Sequence, residues 1–254
     1  MVPSWSLVLC LAAGAGARGD GTFWQVTDIH VDDEGECSGA RFDNGSHLFG
    51  SFDYGHYGCG ASMEAVNATA AFMNATQKPD FVFFTGDVPW SDSGIDVHEK
   101  LRESLQSRAG PDVPVFFLLG NHDFNGHVPH GDAVKAWYAT IAAEWGKWLD
   151  PAAKAELASL GYYSTPMPGS NRTRLVALNT EHFNHGTPSV AAGDTAVAAA
   201  AQLAWLNATL ADCEAKDLTA VILGHVPPVR IFGVCVRTIV ITRTLACREW
   251  RRAT

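Results

Sequence analysis

Phe23-Trp24-Gln25-Val26-Thr27-Asp28-Ile29-His30-Val31 is the stretch around which the chain is organised. It is a short run rich in aromatic and branched residues, bounded by Gly21 and by the acidic Asp32-Asp33-Glu34. It ends in a carboxylate and an imidazole one residue apart. A run of this kind reads as a strand. Side chains alternate across a strand, so Asp28 and His30 are expected on one face. An oxygen and a nitrogen ligand held side by side at a strand end suit a hard or borderline divalent cation. A strand-end turn carrying two solvated polar groups is the other reading of the same pair. What the rest of the chain supplies as partners decides between them.

The pattern recurs. Asp80 to Phe84 is a second strand, wholly apolar after its first residue and so suited to a buried sheet, and it leads into Thr85-Gly86-Asp87. Gly86 allows a tight turn and leaves room for a ligand beside Asp87. Val113 to Leu119 is a third strand, ending in Gly120-Asn121-His122-Asp123; Arg174 to Thr180 is a fourth, leading into Glu181, His182 and His185; Thr219 to Leu223 is a fifth, followed by Gly224-His225 and Val226-Pro227-Pro228. Between them, helical spacing predicts helices over 61–77, 95–108, 132–149, 152–160 and 195–216, with Pro151 splitting the third from the fourth. Trp137, Ile141, Trp145 and Trp148 read as core, as do Leu203, Leu206 and Leu210. Strands alternating with helices predict an α/β fold, in which sites lie outside the carboxyl ends of the strands. The metal-ligating residue types accumulate at that edge.

Composition bounds the rest. The 254 residues carry a formal charge of −9, which excludes a surface built to coat nucleic acid. From Arg230 onward six arginines face one acid, a local +5, so 229–254 reads as a divergent, arginine-rich tail. Residues 1–17 read as a secretory signal, with an apolar Trp5–Ala13 and small residues at Ala15-Gly16-Ala17. No segment is long and apolar enough for a transmembrane helix. Asn-x-Ser/Thr sequons at Asn44, Asn67, Asn74, Asn171 and Asn207 fit an exported glycoprotein. Cys37 and Cys59 flank a glycine-rich loop that includes His47 and His56, and a loop-closing disulfide is their expected role in an oxidising compartment. Cys213, Cys235 and Cys247 are left without an assigned pairing.

Taken together, Asp28-x-His30, Gly86-Asp87, Gly120-Asn121-His122-Asp123 and Gly224-His225 resemble the ordered motifs of the calcineurin-like metallophosphoesterase family. Gln25-Val-Thr-Asp-Ile-His30, Gly86-Asp-Val-Pro89, Trp148-Leu-Asp150, Gly161-Tyr-Tyr-Ser164, Ala177-Leu-Asn-Thr180 and Gly224-His-Val-Pro227 are similar to its acid sphingomyelinase-like phosphodiesterase branch, over about residues 22–228. The resemblance implies a four-layer αββα sandwich of two mixed sheets, incomplete at its C-terminal end, over a domain spanning 18–228. It implies two divalent metal ions, zinc in this branch. Asp28 and His30 would hold the first, Asn121 and His225 the second, and Asp87 would bridge, with a hydroxide between the metals attacking phosphorus in line. His122 would be the catalytic general acid. The implied function is a secreted or lysosomal, monomeric phosphoric diester hydrolase acting on a nucleotide-type or lipid phosphodiester.

Two features depart from the family's pattern. Trp90-Ser91 stand where the branch carries a histidine, for which His98 is the nearest substitute; and the later Gly-His-x-His motif, which gives each metal one histidine, is absent. His182 and His185 follow a strand at the correct edge; replacing the missing ligands is one reading of them, and substrate contact or plain exposure is the favoured one. A truncated, inactive pseudoenzyme is the competing expectation, and a simple glycan-binding domain, insensitive to Asp87→Ala, is a third.

Overall fold

The computed structural model describes residues 22–31, 60–76, 78–89, 94–124, 132–183, 192–226 and 239–241. The expected signal segment, the Cys37–Cys59 loop, Trp90-Ser91, His185 and most of the tail lie outside them.

The first sheet is built from apolar strands that are buried on both faces. β1 (Phe23–Val26) pairs parallel with β2 (Phe81–Phe84), and β2 pairs parallel with β3 (Val115–Phe117), in the order β1-β2-β3. The register sets Val26 beside Phe84 and Phe84 beside Phe117, so the three strands stop at one level. All four residues of β2 are buried, as a central parallel strand requires. The crossovers are helices: α1 (Met63–Thr76), which buries Val66, Ala70 and Met73, and α2 (Ile95–Ala109), which packs against it.

α3 (Asp132–Trp145) reaches this sheet through its last residue, since the Trp145 ring stacks on Phe117 at 4.7 Å and on Phe84 at 5.9 Å. The chain then makes a 3-10 turn, Gly146–Trp148, before α4 (Pro151–Leu160). Asp150 starts α4: its side chain accepts hydrogen bonds from the N–H groups of Ala152 and Ala153, each 2.9 Å, and Pro151 occupies the first turn, where no N–H is needed.

The second sheet holds β4 (Tyr163–Pro166), β5 (Thr173–Ala177), β6 (Thr219–Gly224) and β7 (Ile239–Ile241), in that order. β5 and β6 are parallel, joined through α5 (Ala192–Ala215); β4 and β7 are antiparallel edges. Tyr163 ties the sheets together by donating its hydroxyl to the Phe117 carbonyl at 2.9 Å, and Leu175, Ala177 and Leu223 share one apolar cluster with the first sheet.

The architecture is thus α/β with two small sheets. The first is wholly parallel among the described residues, where two mixed sheets were expected. β4 has no counterpart among the predicted strands, because Tyr-Ser-Thr-Pro lacks an apolar pattern and its proline is tolerated only at an edge. Leu203 is 46% exposed, not part of the buried face of α5, whereas Leu206 is buried. Ile141 and Trp145 are core as expected, with Trp137 and Trp148 packed partly buried against it. Asn74, Asn171 and Asn207 are exposed; Asn67 is half-buried and accepts hydrogen bonds from Ser104 and Arg108. No helix among the described residues is long and apolar enough to cross a membrane.

Candidate metal centre

Where β1, β2, β3 and β6 end, their polar residues converge. Past Val26 the chain stays beside β2's continuation, with Asp28 N–H on the Gly86 carbonyl at 3.0 Å, His30 N–H on that of Asp87 at 3.1 Å and Val31 N–H on that of Val88 at 2.7 Å. The backbone there is not a strand. Asp28, His30 and Asp87 have φ of 53°, 50° and 61°, the left-handed region, which costs a non-glycine residue about 1–3 kcal/mol. Asp28 and His30 therefore share a site through two local reversals rather than through strand alternation. Of the four non-glycine residues with positive φ among the described residues, three are in this cluster. Such strain persists where surrounding contacts over-determine it, and those contacts are visible here. Gly86 (φ 93°) abuts Gly120 so closely that a Cβ on Gly86 would sit 2.4 Å from Gly120 N.

Asp87 is the centre. Its Oδ1 accepts the His122 N–H at 2.8 Å. Its Oδ2 is buried, makes no hydrogen bond, and lies 3.4 Å from His30 Nε2 and 3.3 Å from His225 Nε2. Both imidazoles are oriented from behind. His30 Nδ1 is 3.2 Å from the Pro89 carbonyl and His225 Nδ1 is 2.8 Å from that of Thr85. A carbonyl can only accept, so each Nδ1 carries hydrogen, and in the neutral ring Nε2 presents its lone pair toward Asp87. Two lone pairs and a carboxylate oxygen facing one another repel unless positive charge lies between them. Asp28 Oδ1 is 3.8 Å from His30 Nε2, with Asp28 Oδ2 taking the Thr27 hydroxyl at 2.6 Å, and Asn121 Oδ1 is 3.2 Å from His225 Nε2. The His122 ring meets the His30 ring edge-on at 4.6 Å.

Two groups of ligand-type residues result, His30/Asp87/His122 and Asp28/Asp87/His225, with the ligand atoms of each within 4.8 Å of one another and Asp87 common to both. Three N/O donors with room for solvent or substrate suit a catalytic divalent cation. All the members except His122 are buried, and His122 is half-buried, at the mouth of the cluster.

The electrostatics agree with that fit. Burial pushes the Asp87 carboxyl up, but the His225 and His30 imidazoles and the His122 N–H outweigh it and hold the group well below the ordinary carboxylate range. Asp28 is likewise pushed up by burial and brought below its ordinary value by His30, His225 and Thr27. For His225 burial works downward, yet Asp87 and Asp28 raise it to about 9. The cluster is thus a concentrated negative site that draws a cation, a proton if no metal competes.

His98 lies elsewhere in function. It is fully buried, accepts the Trp145 Nε1–H at 3.2 Å on Nδ1, and burial lowers its pKa to about 3. It is a core histidine behind Asp123, not a substrate-facing one. His182 sits at the end of β5 against Tyr138 and Asn179, at 3.3 and 3.4 Å, and burial lowers it to about 4; it belongs to neither ligand group. Sequence reading missed the supporting residues: Thr27 on Asp28, Thr180, whose Oγ1 accepts the N–H of His225 at 3.2 Å and of Val226 at 2.7 Å, and Asp123. Thr180 ends one predicted strand and Asp123 follows another, both within quoted motifs, which is the signal that could have singled them out.

The sequence matches the family described as calcineurin-like phosphoesterase over residues 21–239. It is 29% identical over 226 residues to sphingomyelinase phosphodiesterase C of Dictyostelium discoideum, covering 82% of this chain and 49% of that one. It is 29% identical to the human acid sphingomyelinase-like phosphodiesterase 3b, over 87% of this chain and 51% of the relative. To the human cyclic GMP-AMP phosphodiesterase SMPDL3A it is 27% identical, over 85% and 51%. The chain spans about half the length of these curated relatives.

Proposed function

The chain belongs to the calcineurin-like phosphoesterase family, distantly related to the acid sphingomyelinase-like phosphodiesterases over most of its length, and we propose that it is an exported phosphoric diester hydrolase with a binuclear zinc centre. The observation that carries this reading is Asp87 Oδ2, a buried carboxylate oxygen with no hydrogen bond, faced by two imidazole nitrogens and shared by both ligand groups. Asp87 would bridge, with Asp28, His30, Asn121 and His225 completing the sites. Bound divalent cations supply activation of the attacking water and stabilisation of charge on the phosphoryl oxygens. The protein's own part is to orient and protonate. The Thr85 and Pro89 carbonyls fix the tautomers of His225 and His30. His122, half-buried at the mouth with its N–H anchored on Asp87, gives a proton to the departing alkoxide.

The names of the relatives support a small phosphodiester substrate, of the nucleotide or the sphingolipid type. The described sheets would be part of a four-layer αββα sandwich in a domain spanning 18–228, preceded by a signal segment and bearing glycans, in a monomeric secreted or lysosomal protein. The grouping of His122 with His30 and Asp87 favours a second reading, in which His122 is a ligand and the chain binds metal without turnover.

Metal content of the purified chain, with hydrolysis of bis-p-nitrophenyl phosphate, tests both. Two metals per chain with turnover abolished in Asp87→Ala is the expected result. An intact metal count with no hydrolysis favours the second reading. Fewer than one tightly bound metal and no metal-dependent turnover defeats the proposal.

A further inference from the structure

We propose that Asp123 is a positioning residue of the metal centre, a buried carboxylate that clasps the backbone of the two loops carrying Asp87 and Asn121-His122. The inference rests on the metal-centre reading above and concerns how the bridging carboxylate is held.

Asp123 is completely buried, and its carboxylate points at backbone, not at the ligand cluster. Oδ2 accepts the N–H of Asp87 at 2.8 Å and of Gly120 at 2.6 Å; Oδ1 accepts the N–H of Val88 at 2.8 Å. Those three donors belong to a proposed bridging ligand, to the residue after it, and to the residue before Asn121. The exchange is reciprocal, because Asp87 Oδ1 accepts the His122 N–H from the opposite loop. Two strand-end loops, 35 residues apart, thus each lend a carboxylate to the other's backbone. The two carboxylates differ in outcome: Asp123 spends both oxygens on N–H groups, whereas Asp87 keeps Oδ2 for the cluster.

Asp123 is itself anchored. Its carbonyl accepts the Trp137 Nε1–H at 2.7 Å, which is the anchor; His98 Nε2 lies 3.7 Å from Oδ1, too far for a hydrogen bond. Because His98 Nδ1 accepts from Trp145, Nε2 is the nitrogen that carries hydrogen, so a donor faces the carboxylate. A buried carboxyl group that holds three backbone N–H groups is stiff, and stiffness here fixes the left-handed turn at Asp87 (φ 61°) that aims Oδ2 at His30 and His225. Without the clasp, Asp87 can relax toward ordinary dihedrals and carry its side chain away.

The variant Asp123→Asn separates this role from general stability. Its carbonyl can keep two of the three N–H groups, but its amide places a donor against the third. Binding of Co2+, followed by its visible absorption in competition with a chelator, is compared with the urea midpoint of the metal-free protein. Leu157→Ala, a buried core change in α4, is the stability control. The expected result is Co2+ affinity lowered about 10–100-fold in Asp123→Asn with an altered absorption band, and unchanged in Leu157→Ala despite an equal or greater loss of urea midpoint. Co2+ affinity in Asp123→Asn within threefold of the parent overturns the clasp while leaving the metal-centre reading intact. Affinity that falls equally in Leu157→Ala also overturns it. A parent protein that takes up no Co2+ overturns both.

Discussion

Replacing Gly120 with alanine tests whether the interlock of strand-end loops sets the geometry of the metal centre. A Cβ at this position would lie 2.3 Å from Asp87 Oδ1, 2.6 Å from Asp87 N and 2.9 Å from His225 Cε1, against an ordinary contact of 3.4 Å or more. Gly120 is not among the residues with positive φ, so the substitution adds volume without backbone strain of its own. None of the three atoms can yield cheaply. Asp87 N is bound to Asp123, Asp87 Oδ1 to His122, and the His225 ring to the Thr85 carbonyl. Relief requires Asp87 and His225 to recede by roughly 1 Å, a misplacement that costs on the order of 100-fold in a positioned site. Overpacking of this kind also destabilises by about 1–3 kcal/mol. Chelator competition for Zn2+ and hydrolysis of bis-p-nitrophenyl phosphate should show affinity reduced at least about tenfold and turnover about 100-fold. Gly169→Ala is the matched control: φ is 72° with nothing within 4 Å of its Cβ, so it should lose about 1–2 kcal/mol and leave metal affinity unchanged. Gly120→Ala protein that binds Zn2+ and turns over within threefold of the parent would refute the reasoning.

Other consequences can be checked on the same protein. His98, held to about 3 by burial against an ordinary 6.5, binds protons in the unfolded chain before it does in the folded one. Stability is therefore fully present above about pH 6.5 and falls toward pH 3, by about 2 kcal/mol at pH 5. Urea midpoints at pH 7 and 5 should show that slope reduced in His98→Gln, and equal slopes would exclude the assignment. Asp150→Ala removes the acceptor of two N–H groups at the start of α4 and should cost about 1 kcal/mol with metal affinity unaltered, measured by thermal unfolding and zinc titration. Thr180→Val leaves the N–H groups of His225 and Val226 without their hydroxyl acceptor, and zinc affinity should fall about tenfold. Thr180→Ser, which keeps the hydroxyl, should restore it.

The order of elements and the chemistry at their ends are legible in the sequence because both are local. An apolar run as short and aromatic as Phe81–Phe84, flanked by Pro79 and Gly86, reads as a buried strand, and Gly-Asp or Gly-Asn-His after such a run marks a tight turn with ligand-type side chains. Parallel strands then bring these turns to one edge without further instruction. The residues expected in the cluster, Asp28, His30, Asp87, Asn121, His122 and His225, are brought together for that reason. What neighbours in sequence do not encode is how the turns grip one another. The left-handed backbone at Asp28, His30 and Asp87 runs against local preference and exists because partners far along the chain hold it: Gly86 and Asp87 carbonyls for the first two, the Asp123 carboxylate for the third. The same is true of His98. In the sequence it is the nearest substitute for a histidine of the branch, but the packing of α2 against Trp145 turns it inward behind Asp123. Sequence alone determined which ligand types stand at the end of each strand. Tertiary structure decided which oxygen of which carboxylate faces the imidazoles, because that depends on hydrogen bonds between loops more than 30 residues apart.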